Sequence, residues 1–205
     1  MTTALNAIAF KAHTHHDHRF QNLYGQLNSD ALYRAWSNLN KQSSAGIDGV
    51  KPEDFEKRLP ENIQRIHQQL KTTCYRVGDV KRVYIPKANG KERPLGLPIT
   101  EDKLVQQGVA DMLQSIWEQD FLRNSYGYRP RKSAHQAIHS LQLNLQFKGY
   151  GYVVEADIKG FFNNMDHGWL MEMLKVRIDD NRILNLINQW LKARIVEPDG
   201  TYHKP

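Results

Sequence analysis

A carboxylate at the end of an apolar run is the first group in this chain that could do chemistry. In VVEADIKGFF, residues 153–162, Asp157 closes a stretch that reads as a strand, and a carboxylate held rigidly there can bind a divalent cation at a pocket mouth. The carbonyl of Ile158 could add a second oxygen, and Phe162 could wall a sugar-binding pocket. Glu155 would share a face with Asp157 on an extended strand, although the same alternation suits an exposed face and an Asp after a strand also serves as a cap or turn residue. The second group is cationic. In RVYIPKANGKERPLGLP, residues 82–98, Lys87 and Arg93 flank a turn, a point charge and a planar fork that together suit a triphosphate. Lys81 and Arg82 precede it. A solvated, lysine-guarded edge strand is the plain alternative, but Pro86, Gly90, Pro94, Gly96 and Pro98 constrain the backbone more than an edge needs. The third group, SYGYRPRK, offers Tyr126 and Tyr128 for stacking and Arg129, Arg131 and Lys132 for phosphates, as a nucleic-acid groove would. The same tyrosines could instead pack inward. The His13–His18 run could grip a metal but lacks a second cluster to close the site, and His135 and His139 lack a third ligand.

The elements that must hold these groups are legible from spacing. Asn28 caps a helix with Leu32, Ala35, Trp36 and Leu39 on one face. Gly46 and Gly49 mark a turn, and a helical stretch from Pro52 to about Leu70 is divided at Pro60. Asn89-Gly90 predicts a tight turn between strands at 80–86 and 91–97, a basic β-hairpin. A helix opens at Thr100 with Leu104, Val105, Val109, Met112 and Ile116 along one face, and Ser133 with Gln136 forms a capping box for the next. A strand is expected over 150–157, helices over 167–177 and 180–194, and a turn at 197–201. Residues 1–27 show no strong periodicity and read as a frayed or loosely helical lead-in.

Composition sets the class. The 205 residues are 40% apolar and 24% charged, an ordinary globular balance, and Lys plus Arg exceed Asp plus Glu by 28 to 22, a net +6 that leans towards polyanionic partners. The single cysteine, Cys74, excludes an internal disulfide framework. No apolar run approaches the roughly 20 residues of a membrane helix, and the N-terminus lacks the pattern of a signal peptide. The expectation is a cytoplasmic protein with no membrane partner.

Taken in order, AGIDGV (45–50), YIPKANGKERPLGLPITEDKLVQQ (84–107), SYGYRPRKSAHQAI (125–138) and VVEADIKGFFNNMDH (153–167) resemble the N-terminal half of a bacterial group II intron reverse transcriptase, or intron-encoded maturase. Each block is degenerate alone; four in this order over about 120 residues are specific. The resemblance implies an α+β fold: right-hand polymerase fingers plus a partial palm, helices with a basic β-hairpin and an incomplete antiparallel sheet. It divides the chain into a lead-in at 1–27, fingers at 28–148 with the nucleotide-binding hairpin at about 80–97, and the first part of the palm at 149–205. It places Lys87 and Arg93 on the triphosphate, with Lys81 and Arg82 as lesser contacts. It makes Asp157 the first catalytic aspartate, Ile158 a carbonyl ligand of Mg²⁺, and Phe162 the gate against a 2′-hydroxyl. Arg129, Tyr128 and Arg131 fall along the nucleic-acid track. The implied partners are intron or template RNA, a DNA primer and dNTP.

The chemistry implied is a two-Mg²⁺ in-line displacement whose remaining ligands are paired aspartates in an aromatic-Ala-Asp-Asp hairpin. That tetrapeptide is absent here, and Asp179-Asp180, preceded by Arg177-Ile178 and followed by a helix, does not replace it. Asn163 stands where the family commonly has Asp. The expectation is therefore the N-terminal portion of an RNA-directed DNA polymerase, inactive in polymerisation alone and completed by a C-terminal polymerase half. The alternatives are a non-catalytic intron RNA-binding module that assists splicing, or a degenerate remnant.

Overall fold

The computed structural model describes residues 3–86, 90–162 and 164–203. In chain order its elements are α1 (Thr3–Thr14), α2 (Ser29–Asn38), α3 (Pro52–Glu56), α4 (Leu59–Lys71), β1 (Val80–Pro86), β2 (Glu92–Leu97), α5 (Thr100–Trp117), α6 (Ala134–Phe147), α7 (His167–Lys175), α8 (Asn181–Leu191), β3 (Ile195–Val196) and β4 (Tyr202–His203). They fall into two compact units, Asp17–Leu113 with His167–Pro205, and Met1–His16 with Gln114–Asp166.

The larger unit holds its core between helices. The Asn28 side chain accepts from the Ala31 amide at 3.0 Å and starts α2, which buries Leu32, Ala35 and Trp36. Pro60 sits in the first turn of α4, where its missing N–H costs nothing, so the stretch after Pro52 divides there. Ile63, Ile66 and Leu70 then recur at helical spacing and are buried against the neighbouring helices. Trp36 stacks on Phe55 of α3, ring centroids 5.2 Å apart. Residues 17–27 lack periodicity because they are irregular apart from one 3-10 turn at Tyr24–Gln26, yet Phe20, Leu23, Tyr24 and Leu27 are buried. The Phe20 amide donates to the Arg177 carbonyl at 2.7 Å, and the Tyr24 amide donates to Asp180 at 2.9 Å.

A four-stranded sheet, order β2-β1-β3-β4, belongs to the same unit. β1 pairs antiparallel with β2, and β3 antiparallel with β4, but β1 and β3 run parallel. The sheet is thus mixed where the sequence suggested antiparallel pairing throughout, because β3 returns to β1 only after a long helical crossover. The loop 45–50 is seated at the base of the hairpin. The Thr100 hydroxyl donates to the Val50 carbonyl at 2.6 Å, and a Cβ on Gly46 would lie 2.6 Å from the Ile99 Cα, so only glycine permits this approach. Behind it, the buried Asp102 carboxylate of α5 accepts from the Tyr75 hydroxyl at 2.5 Å and the Gly78 amide at 2.8 Å, anchoring the chain entering β1.

In the smaller unit, α6 opens on the expected capping box, with reciprocal Ser133 and Gln136 hydrogen bonds of 3.3 and 2.9 Å. It buries none of its residues. The strand expected over 150–157 is not formed. A strand needs a neighbour to take its amides and carbonyls, and among the described residues of this unit none is extended beside it. Val154 is 91% exposed.

Candidate functional site

The β1–β2 register sorts the hairpin cations by face. Lys81 opposes Leu97, Arg82 opposes Gly96, and Arg93 opposes Ile85. Directly opposed residues share a face and neighbours along a strand do not, so Arg93, Ile85, Val83 and Lys81 lie on one face while Arg82, Tyr84 and Glu92 lie on the other. Arg93 is one row from the last described pair, Pro86–Glu92. Lys81 is four positions back from Ile85, about 13 Å along the strand. One triphosphate at the tip is therefore not shared by Arg82, which faces away from Arg93. Lys87, the other expected triphosphate contact, lies outside the described residues.

On the second face Arg82 meets Glu197, from the turn after β3. The Arg82 Nε is 3.5 Å from one carboxylate oxygen of Glu197, the Tyr84 hydroxyl donates to the other at 2.9 Å, and His203 Nδ1 is 3.7 Å away. Arg194 grips Asp79 through two bonds of 2.9 and 2.6 Å, fixing the same junction one step lower. The hydrogen bond to Glu197 raises the Tyr84 hydroxyl above its ordinary pKa, with burial assisting. Sequence reading missed Glu197 as a partner of Arg82 because 115 positions separate them and no local pattern signals the contact.

The loop at 125–132 belongs to the smaller unit and divides its residues between inside and outside. Arg129 is turned inward: Nε and Nη2 donate to Glu118 at 3.1 Å each, and Nη1 donates to the carbonyls of Leu122 and Ser125 at 2.8 Å each. Its side chain is 9% exposed and stacks 5.1 Å from the Phe121 centroid. Four of the roughly five N–H donors of a guanidinium are thereby spent within the unit. Tyr128 and Arg131 point the other way in effect. Both have positive φ, 55° and 59°, a conformation costing about 1–2 kcal/mol for a residue with a side chain, and Tyr128 is 96% exposed. The Arg129 bonds offset that strain. Lys132 lies over Tyr126 at 5.3 Å.

Asp157 and Ile158 lie in an exposed segment of the same unit without regular secondary structure, ahead of a turn at Gly160, φ 63°. Phe162 packs edge-on to Tyr128 at 6.1 Å and to Phe161 at 5.3 Å, so the structure does bring the expected gate and a stacking residue together. Asn163 lies outside the described residues. The hairpin cations and Asp157 are in different units. Among the described residues no three His, Cys, Asp or Glu side chains are grouped to hold a metal ion. One carboxylate and one carbonyl fall short of the roughly six oxygens of a Mg²⁺ shell, so the donor set here does not by itself fit the ion. Asp179 and Asp180 are committed elsewhere: Asp180 caps α8, accepting from the Arg182 amide at 3.0 Å, and Asp179 accepts from Gln21 at 2.8 Å. His13 and His16 meet only edge-on at 6.4 Å, and His16 lies 3.5 Å from Asp120.

Comparison with known proteins identifies the family. The profile of the family "Reverse transcriptase (RNA-dependent DNA polymerase)" matches residues 85–204. The chain is 37% identical over 202 residues to the group II intron-encoded protein LtrA of Lactococcus lactis subsp. cremoris, covering 98% of this chain and 33% of that protein. It is 38% identical over 151 residues to protein YkfC of Escherichia coli strain K12, covering 72% of this chain and 40% of that protein. A solved chain of a partial Cas6-RT-Cas1–Cas2 complex aligns with 95% of this chain and 28% of its own length, at TM-score 0.44 and 21% identity. The chain thus spans about a third of the length of LtrA.

Proposed function

Because the chain belongs to the reverse transcriptase (RNA-dependent DNA polymerase) family, with a group II intron-encoded protein among its relatives, we propose that it is the part of an RNA-copying polymerase that binds the template RNA and the incoming dNTP. The hairpin register carries the reading. Arg93 stands one row from the last described pair, Pro86–Glu92, on a face with no carboxylate from β2, where a planar fork can grip phosphate oxygens. The Asp157 carboxylate and the Ile158 carbonyl would supply two of the oxygens of a Mg²⁺ site completed by other ligands, and Phe162 would stand beside the sugar. Tyr128 and Arg131 face the nucleic acid, while Arg129 shapes the loop that presents them.

With one carboxylate and one carbonyl, these residues alone would not hold the metal ion whose charge a phosphoryl transfer of this class would use. Further acidic ligands are required for that, and we assign them, with the surface that grips the product duplex, to a C-terminal polymerase half. We assign the protein to the cytoplasm on the strength of its bacterial intron-encoded relative. The reading is tested by titrating dNTP into the chain in the presence of Mg²⁺. Arg93→Ala is expected to weaken binding about tenfold, the loss of one charge-assisted contact. A dNTP affinity indifferent to Arg93→Ala would overturn the reading. RNA binding that persists without any dNTP binding would favour the second reading, a splicing-assistance module, which the intron-encoded relatives suggest.

A further inference from the structure

Beside β1 and β3 lies a cleft lined by Arg82 and Tyr84 from the hairpin face opposite Arg93, together with Lys81 and Val83 of the same strand. Its volume is about 540 Å³, within the rough 300–1,000 Å³ range of small-ligand sites. Ile47, Val196 and Pro198 supply apolar walls, Tyr84 a half-exposed ring, and Arg82 and Glu197 the polar groups. The cleft follows an open edge. The β1–β3 ladder ends at Lys81–Val196, whereas β1 continues to Pro86, and among the described residues no strand pairs with that remaining edge.

Arg82 and Glu197 are adjacent without saturating each other. Their contact is 3.5 Å, at the limit of a hydrogen bond, and it uses one of the five guanidinium donors. Glu197 also takes the Tyr84 hydroxyl and lies near His203, but a carboxylate has about four acceptor positions, so capacity remains on both partners. A donor-only group beside an acceptor-only group is complementary to a ring edge that presents an acceptor next to donors. Among the nucleobases guanine has that edge with most donors: a carbonyl oxygen for Arg82, then a ring N–H and an amino group for Glu197. Adenine offers the opposite order, and hypoxanthine lacks the amino group. The apolar walls and the Tyr84 ring suit a flat aromatic system, and the net +6 of the chain suits its phosphate.

We propose that this cleft binds an unpaired guanine nucleotide of RNA, stacked against Tyr84 and read by Arg82 and Glu197. Arg82, Tyr84 and Glu197 lie off the hairpin face that carries Arg93. The test titrates GMP, IMP and AMP into the 205-residue chain by calorimetry, and repeats the comparison with the single-stranded pentamers UUGUU and UUAUU. GMP is expected to bind about tenfold more tightly than AMP, with IMP between them, the discrimination a bidentate base contact gives. Glu197→Gln is expected to abolish the preference while leaving AMP binding unchanged. Tyr84→Ala is expected to weaken all three nucleotides alike. Equal affinity for the three, or a GMP preference that survives Glu197→Gln, would overturn the proposal. So would protection of the β1 amides on self-association without any response to GMP, which would mark the edge as a strand-pairing surface. If Glu197→Gln disturbs folding, the GMP to IMP ratio of the unaltered chain still decides. Arg93→Ala separates the two sites: it is expected to weaken dNTP and to leave GMP unaffected, so either reading can fail alone.

Discussion

Arg129 shows how one side chain can be needed at an interface without touching the partner. Its guanidinium ties Glu118 to the carbonyls of Leu122 and Ser125, and the loop it closes holds Tyr128 and Arg131 at positive φ. Arg129→Ala leaves a largely buried Glu118 unpaired and is expected to cost about 3 kcal/mol, read from the midpoint of chemical denaturation. Arg129→Lys should recover only part of that, since a lysine cannot reproduce the fork. Asp102 makes a different prediction. Burial raises its carboxyl above the ordinary 3.8, against the lowering effect of the hydrogen bonds from Tyr75 and Gly78. The folded chain therefore keeps this proton longer than the unfolded one. The stability it contributes is fully present below pH 3.8 and is lost as pH rises through the higher folded-state value. Asp102→Asn should flatten that part of the stability profile, measured as urea midpoints at successive pH values. An unchanged slope would show that another group titrates there.

At the scale of elements, the helices differ in what holds them. α4 is secured by burial of Ile63, Ile66 and Leu70, and its ends matter little to it. α6 buries nothing, so its capping box carries a larger share of its order. Ser133→Ala is expected to cost about 1 kcal/mol. Because α6 is not part of a buried core, the loss should register as about fivefold faster amide exchange confined to α6, with little change in the global transition. The hairpin is held otherwise, by parallel pairing to β3 and by the Arg194–Asp79 and Arg82–Glu197 contacts across 115 positions of sequence. Its orientation depends on helix α8 returning β3 to β1.

For the whole molecule, the charge balance and the family give a quantitative expectation. If the exposed cations of the loop and hairpin make about four phosphate contacts to single-stranded RNA, log K should fall with log salt at a slope of about −3. A slope near zero would count against nucleic-acid binding by this chain. Primer extension on an RNA template, with Mg²⁺ and the chain alone, is expected to be undetectable, because its residues supply one carboxylate to the metal site. Extension that disappears in Asp157→Ala would contradict that expectation.

Local rules were enough for the pieces that local physics controls. The Asn28 and Ser133 caps, the division at Pro60, the strands on either side of Asn89-Gly90, and the family itself were all legible in the sequence, because each depends on residues within a few positions or on motif order. The segment 150–157 was not, since alternation describes a strand's faces but not whether a neighbour exists to pair with it. Nor could spacing show that the irregular stretch from Phe20 to Leu27 enters the core. The sharpest division is among the cations. Composition counts Arg82, Arg93 and Arg129 alike, and motif order set them all beside nucleotide or nucleic acid. Tertiary structure separated them, because a sheet's alternation puts Arg82 and Arg93 on different faces, and because Glu197 and Glu118, carboxylates brought near by folding, decide where two guanidinium groups point.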